Sequence, residues 1–525
     1  MIRLKTIRNL KFFSRWLSDE GLTRKAYLNA LAATVEYGSR LIVGFIINPI
    51  LVAGLGGYLY GIWQILLRVF SYISAASGRP TFALTWSLAN QQASADYERK
   101  RQSIGSTIIV WLLFLPVLII IGGLLTWFIP SLLKIPMEYS WSIRLVGGLL
   151  VANLIMKTLS SVPQAVLQGE NMGYKRMGLS AVLVLVGGGL TALALYLDTG
   201  LIGIATANLT ITFLTGIFFL QVVRAYVPWF GIARPSFEAV RQFLGLSGWF
   251  IVWDVINQLM IASDIIVLGV FASVELVTTY SLTKYVPESL MSFVGTLVFG
   301  ITPGLGGIIG AGDLQKAVRL RSEIMSLTWL IASIVGTTTL LWNQSFIQLW
   351  VGAKYYAGST STLLIILMVT QFALIRNDAS IIDLTLNLRR KVLMGGLSFA
   401  VSLVFSGILV GVFNLGITGV CVGFIIGHSI LSLGYPWLIG RFLGDSLLSQ
   451  LKRVPRAAFT SVLLFGLGFS VNGFLTVNTW IGLVLSVGMT LVVVSLLAFY
   501  ISLSSDQRKH IWRRIRLVTE SVKFG

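Results

Sequence analysis

The sequence predicts an all-α polytopic membrane protein of about 14 transmembrane helices, built as two six-helix lobes plus two C-terminal helices. Three observations predict it. The 525-residue chain is 55% hydrophobic and 11% charged, where an average soluble domain is about 25% charged, and its mean hydropathy is +0.84. Apolar runs of roughly 20 residues, long enough to cross a bilayer core as helix, recur from end to end. Features of the first six runs then return, in order, in the next six.

Taken in order, residues 1–25 form a basic segment that opens "MIRLKTIRNLKFFSRWLSDEG". It lacks the apolar core and small-residue cleavage site of a signal peptide. It is read as retained, cytoplasmic and amphipathic. Residues 26–223 hold helices 1–6, with spans near 27–53, 57–78, 104–128, 144–167, 178–197 and 201–223. A cytoplasmic linker, 224–245, leads to helices 7–12 in 246–440, near 246–270, 274–301, 323–342, 361–387, 392–413 and 416–438. A second linker, 441–456, precedes helices 13 and 14 in 457–502, near 457–475 and 479–502. Residues 503–525 form a basic tail. Its Ile511, Ile515 and Val518 recur at helical spacing among Arg508, Lys509, Arg513, Arg514 and Arg516, a pattern suited to an anionic membrane surface.

The basic residues fix the orientation. With a cytoplasmic N-terminus, "DYERKR" (96–101), "YKR" (174–176), "RRK" (389–391), "LKRVPR" (451–456) and "RKHIWRRIR" (508–516) all fall on one side. Of the 40 Lys and Arg, 32 lie there, three (Lys134, Arg144, Lys354) lie opposite, and five lie inside spans. This is a positive-inside pattern, and an even number of spans returns the C-terminus to the same side. The net charge of +20 is therefore a topology signal and not a nucleic-acid footprint. One Cys (Cys421) and two His (His428, His510) allow no internal disulfide and no Cys/His metal framework.

The repeat is visible in short matches. "YKRMGLSAVLVL" (174–185) enters span 5 as "RKVLMGGLSFAV" (390–401) enters span 11. "GLIGIA" (200–205) opens span 6 as "GITGVC" (416–421) opens span 12. Spans 2 and 8 lead through Pro80 and Pro303 into "DYERKR" and "DLQKAVR". Six spans return the chain to its starting side, so the copies share an orientation and are related by an axis along the membrane normal. Such parallel repeats are a transporter architecture.

Against this background "AGLGGYLYGIWQ" (53–64), "VPQAVLQGENMGYKR" (162–176) and "SDIIVLGVFASVELVTTYSLTKYVPESL" (263–290) resemble the helix 1–2, helix 4 and helix 7–8 regions of the polysaccharide transporter family. That family sits in one superfamily with multidrug extruders and lipid II flippases. The resemblance spans nearly the whole chain. It implies a flippase that carries undecaprenyl-pyrophosphate-linked oligosaccharide (O-antigen, capsule or exopolysaccharide repeats) across the bacterial inner membrane by alternating access. It implies no enzyme activity and no cofactor. Its partners would be the lipid-linked substrate, membrane lipids and other assembly proteins such as a polysaccharide polymerase. The alternatives are a cation-coupled multidrug extruder, a lipid II flippase, or a membrane-bound polymerase or ligase, which the short outer loops disfavour. No Walker A pattern is present, so direct ATP use is not expected.

Charges inside spans are costly and mark function or pairing. The bases Arg40, Arg68, Lys157, Lys284 and Arg376 are the candidate cationic cavity for a pyrophosphate, since Arg holds phosphate oxygens bidentately and Lys acts as a point charge. The acids Glu36, Asp254, Asp264, Glu288, Asp378 and Asp383 either balance these bases or couple transport to Na⁺ or H⁺; the membrane potential is a third drive. Glu36–Arg40 and Lys284–Glu288 are i,i+4 and can pair on one helix face. Arg68 has no acid within a turn, so its counter-charge comes from another helix or from substrate. Asn153, Gln164, Asn257, Gln258, Trp253 and Tyr285 are candidate sugar contacts. His428 in "IIGHSI" is read as a packed, hydrogen-bonded residue, with a proton switch as the alternative.

Overall fold

A computed structural model describes residues 22–76, 80–92, 94–235, 237–384, 388–502 and 508. Among these residues every regular element is helical. The first 21 residues lie outside the described set, as do Lys509 and the apolar positions Ile511, Ile515 and Val518 of the tail.

The first helix, α1 (Leu22–Ala76), is a hairpin hinged at Gly56, whose φ of 72° and ψ of 170° break it. That backbone region is essentially closed to residues with a Cβ. Tyr60 Oη donates to Asn48 Oδ1 at 3.1 Å; along a straight helix twelve residues would separate them by about 18 Å. The lobe continues through α2 (Pro80–Asn90), α3 (Tyr97–Leu132), α4 (Met137–Gly169), a 3₁₀ turn (Gly173–Arg176), α5 (Met177–Tyr196) and α6 (Gly200–Tyr226). The second lobe comprises α7 (Phe237–Phe271), α8 (Val274–Gly310), α9 (Leu314–Trp350), α10 (Ser359–Leu384), α11 (Leu388–Gly411) and α12 (Gly416–Leu443). A short α13 (Leu447–Arg453) leads to α14 (Pro455–Asn472) and α15 (Trp480–Ser502), both packed on α9.

The two lobes repeat in detail. Asp96 and Asp313 cap α3 and α9, each accepting the backbone N–H three residues on, the usual way an orphan helix-start donor is satisfied. The turns into α6 and α12 share one conformation, with positive φ at Asp198 and Gly200 in one and at Asn414 and Gly416 in the other. Neighbours correspond too: α5 packs on α1 and α6, and α11 packs on α7 and α12. In the same way α4 packs on α6 and α2, and α10 packs on α12 and α8.

Eleven helical stretches of the described residues are long and apolar enough to cross a membrane. One of them, Leu31–Ser74, contains the Gly56 hinge, and α8 and α14 are not among them. The expectation of about 14 spans therefore goes beyond this set, while the helical two-lobed class stands. Several helices also outrun their expected spans. The 37 residues of α9 measure about 55 Å, so polar first turns project past an apolar centre.

The lobes meet along α1, which packs on α7 and α8, and through α3 on α7. Leu51, Ile62, Leu66, Ile265, Leu268, Val277 and Trp350 share one buried core across that boundary. Lipid is as apolar as these side chains, so close packing and hydrogen bonds hold the boundary, not water exclusion. Thr278 Oγ1 donates to Gly57 O at 2.5 Å, and Trp350 Nε1 to Phe45 O at 2.7 Å. At Gly61 a Cβ would sit 2.3 Å from Val274 O, so α1 and the start of α8 touch backbone to backbone.

Candidate functional site

Asp264 projects from α7 beside the face of α8 that carries Tyr280, Lys284 and Glu288 one turn apart. Lys284 Nζ donates to Asp264 Oδ2. Tyr280 Oη donates to the same oxygen at 2.6 Å, and the other oxygen accepts the Ile265 N–H at 2.8 Å. Glu288 Oε2 lies 3.7 Å from Lys284 Nζ, while its Oε1 lies 3.4 Å from Arg68 Nη2. Arg68 comes from the other lobe. Its counter-charge is thus an ion bridge between lobes, reinforced by Tyr72 to Ser263 at 2.7 Å and Gln258 to Ser71 at 2.7 Å.

The cluster runs from dry to open. The side chains of Asp264 and Lys284 are 3% and 6% exposed, those of Glu288 and Arg68 32% and 24%. Beyond Glu288 a cavity of about 80 Å³ is lined by Asp264, Lys284, Glu288, Ser292, Arg376 and His428, among others. The Arg376 guanidinium lies over Gly295 of α8, about 3.5 Å from where a Cβ would stand. Among the described residues it has no acidic partner within salt-bridge distance. Three bases (Arg68, Lys284, Arg376) here face two acids (Asp264, Glu288).

The first lobe carries a second polar site. Glu36 on α1 accepts from Arg40 Nη2 at 2.7 Å through one oxygen and from Arg176 Nη1 at 3.1 Å through the other. Arg176 also reaches Ser180 Oγ at 2.8 Å. These three residues stand between two adjoining clefts of about 400 and 340 Å³. Asn29, Tyr37 and Gln168 line the first cleft, and Gln164, Thr191, Asn208 and Thr215 line the second.

The remaining predicted residues are elsewhere. Asp378 forms a bidentate pair with Arg321 of α9, at 2.8 and 2.9 Å. Asp383 holds Lys391 of α11 at 2.6 Å, with the Lys391 ammonium 3.8 Å above the Trp253 ring. Neither acid partners Arg376. Asp254 is buried on α7. Lys157 is exposed on α4 and is not among the residues lining these cavities. Of the proposed sugar contacts, Gln258 is tied to Ser71, and Tyr285 Oη donates to Leu41 O at 3.2 Å. Asn257 is half-buried, and Asn153 keeps a buried, unsatisfied Oδ1. His428 is packed as expected, 5.4 Å from the Phe372 ring and 5.7 Å from the Phe424 ring. The expected hydrogen bond is absent: neither ring nitrogen has a partner among the described residues.

The sequence reading missed Arg176, Arg321, Lys391 and Lys100, assigning all four to cytoplasmic stretches. Each is buried in an ion pair at or near a helix start, Lys100 with Glu170 at 2.9 Å. The signal that finds them is helix length, because helices that overshoot the apolar run by a turn or two carry their first basic residues inward. Among the described residues no group of three or more His, Cys, Asp or Glu is placed to hold a metal ion.

No protein-family model and no curated protein sequence matches the chain. Solved structures do. A multidrug resistance MATE family transporter of the MOP superfamily, inward-facing, is similar at TM-score 0.63 and 16% identity, over 78% of this chain and 98% of its own. The lipid II flippase MurJ, inward closed, is similar at TM-score 0.66 and 13% identity, over 89% of this chain and 97% of its own. The third is a MOP superfamily transporter from Pyrococcus furiosus, in which reverse polarity of the binding pocket suggests a different function. It is similar at TM-score 0.56 and 15% identity, over 81% of this chain and 96% of its own. At such identities the likeness is one of fold, and the fold is the two-lobed helical fold of these transporters.

Proposed function

We propose that this protein is a flippase for amphiphiles with an anionic headgroup, and that its substrate is a polyprenyl-pyrophosphate-linked oligosaccharide of bacterial surface polysaccharide assembly. The observation that carries the reading is the cationic excess between the lobes: Arg68, Lys284 and Arg376 against Asp264 and Glu288, with Arg376 lacking an acidic partner among the described residues. Arg376 is exposed on α10 toward the cavity. A guanidinium inside a membrane-spanning helix with no carboxylate beside it is costly, and a phosphate oxygen pair is the acceptor its planar fork fits. Pumping organic cations would favour an acidic excess instead. A lipid II flippase shares the anionic headgroup and is the alternative within this reading.

In this scheme the headgroup enters between the lobes and meets Arg376. It then competes with Glu288 for Arg68, which loosens the bridge between lobes and permits them to rock. The lipid tail stays in the bilayer. No covalent bond changes. With the termini cytoplasmic and the membrane potential negative inside, outward movement of an anion gains about 2.3 kcal/mol per charge per 100 mV. Na⁺ or H⁺ coupling through the acids is the alternative drive. The test is headgroup translocation in proteoliposomes loaded with undecaprenyl-pyrophosphate oligosaccharide. We expect wild type to flip it and folded Arg376→Ala to slow tenfold or more. Unchanged flipping by Arg376→Ala would remove the site assignment. Efflux of an organic cation without lipid movement would move the protein to the multidrug branch.

A further inference from the structure

Three amides of the first lobe are not explained by the anion site. Gln164 and Gln168 stand one turn apart on α4, and Asn208 lies on the neighbouring α6. All three line the paired clefts around Glu36, and among the described residues none of the three side chains has a hydrogen-bond partner. Two other amides in the same lobe are tied down: Asn29 bonds Asn171 at 2.6 Å and the Tyr174 N–H at 2.8 Å, and Gln92 bonds Glu170 O at 3.1 Å. Gln164 and Asn208 are half-buried, and polar groups placed so in a membrane-spanning lobe carry a cost unless something satisfies them. Gln168 is exposed in the last turn of α4. Amides offer a donor pair and an acceptor together, which matches hydroxyls that both donate and accept.

We infer that the paired clefts are a saccharide subsite, with Gln164, Gln168 and Asn208 reading the sugar hydroxyls while the Arg68/Arg376 side of the interface holds the phosphates. This inference rests on the flippase reading above and divides its substrate between the lobes. The phosphates are assigned to the other side because Arg376 there has no acidic partner among the described residues, whereas the cleft cations Arg40 and Arg176 both share Glu36. The second cleft sets Gln164, Thr191 and Asn208 among apolar side chains such as Val43, Leu183 and Phe219, a mixed wall that suits sugar rings, which present hydroxyls at their edges and C–H groups on their faces. The volumes of about 400 and 340 Å³ are in the range of ligand pockets and join through the shared Glu36, Arg40 and Arg176, so a chain of sugar rings can thread both.

Cys421 is the single cysteine and is fully buried, so one reporter thiol can be added to the intact protein. Gln168→Cys reports the cleft and Ser292→Cys reports the cavity of the second lobe. Each is reacted with a maleimide in nanodiscs, with undecaprenyl pyrophosphate or with the same carrier bearing its oligosaccharide. The expected result is labelling slowed at least fivefold at Gln168→Cys by the glycosylated carrier only, and at Ser292→Cys by both carriers. Protection at Ser292→Cys with none at Gln168→Cys would overturn the saccharide subsite and leave the flippase reading standing. Equal protection of Gln168→Cys by both carriers would also overturn it, because the cleft would then be reading the carrier. No protection at either position would overturn both readings.

Discussion

Glu36–Arg40 and Lys284–Glu288 have the same spacing, acid and base four residues apart on a helix that faces the other lobe. In space they differ. The first pair closes at 2.7 Å with the Arg40 side chain 64% exposed. The second stands at 3.7 Å, because Lys284 has turned to Asp264 on another helix, where both side chains are 6% exposed or less. An exposed base takes the nearest acid on its own helix and loses little if that acid is removed. A buried base takes whichever acid allows the most complete hydrogen bonding, since desolvation penalises every unsatisfied donor. Spacing sets what can be reached, and burial decides what is chosen.

The largest effect should therefore fall on Lys284. Lys284→Ala leaves Asp264 buried with Tyr280 and a backbone N–H as its remaining partners, and should cost about 3–5 kcal/mol, read as loss of folded protein in a denaturant titration in micelles. The double change Lys284→Met with Asp264→Leu should recover most of that stability, as apolar replacements of buried ion pairs often do, while headgroup flipping stays lost. If the double variant also flips, the Asp264–Lys284 pair is structural, and the site reduces to Arg68 and Arg376 against Glu288, an excess the double change leaves intact. Arg176→Ala comes next and separates burial from lobe identity. Its side chain is 11% exposed within the first lobe, and losing its charged hydrogen bond to Glu36 should cost about 1.5–3 kcal/mol. A cost as small as that at Arg40 would show that the open cleft, and not the residue's own burial, sets the energetics.

The same physics decides how much was legible in the sequence. The repeat was legible because it is local: the Asp96 and Asp313 caps and the paired turns before Gly200 and Gly416 are set by a few residues each. Glu36–Arg40 was legible by helical spacing. The Asp264–Lys284 pair went unread, though it had a signal. The α7–α8 turn is short, from Phe271 to Val274, so residues at similar distances on either side of it meet across the hairpin. The bond from Arg68 to Glu288 had no such signal. It depends on how two lobes pack across 220 positions of chain. Arg321 and Lys391 were hidden for another reason, since hydropathy sees apolar centres and not the basic first turns that fold in with them.

The smallest effect is expected at Arg40, and it sharpens the comparison most, because stability and transport should part there. Its guanidinium is largely exposed and Glu36 retains Arg176 when it is gone, so Arg40→Ala should cost only about 0.2–1 kcal/mol. Removing the charge also frees one Glu36 oxygen and leaves the cleft net neutral, one base to one acid, where it had been cationic. A neutral sugar should tolerate that change and an anionic one should not. Flipping of a carrier with neutral sugars is therefore expected to stay within about twofold of wild type, and flipping of one bearing uronic acid to fall further, measured side by side in the same proteoliposomes. Equal losses on both carriers would mean that Arg40 serves the pyrophosphate after all, and would join the two ion clusters into a single site.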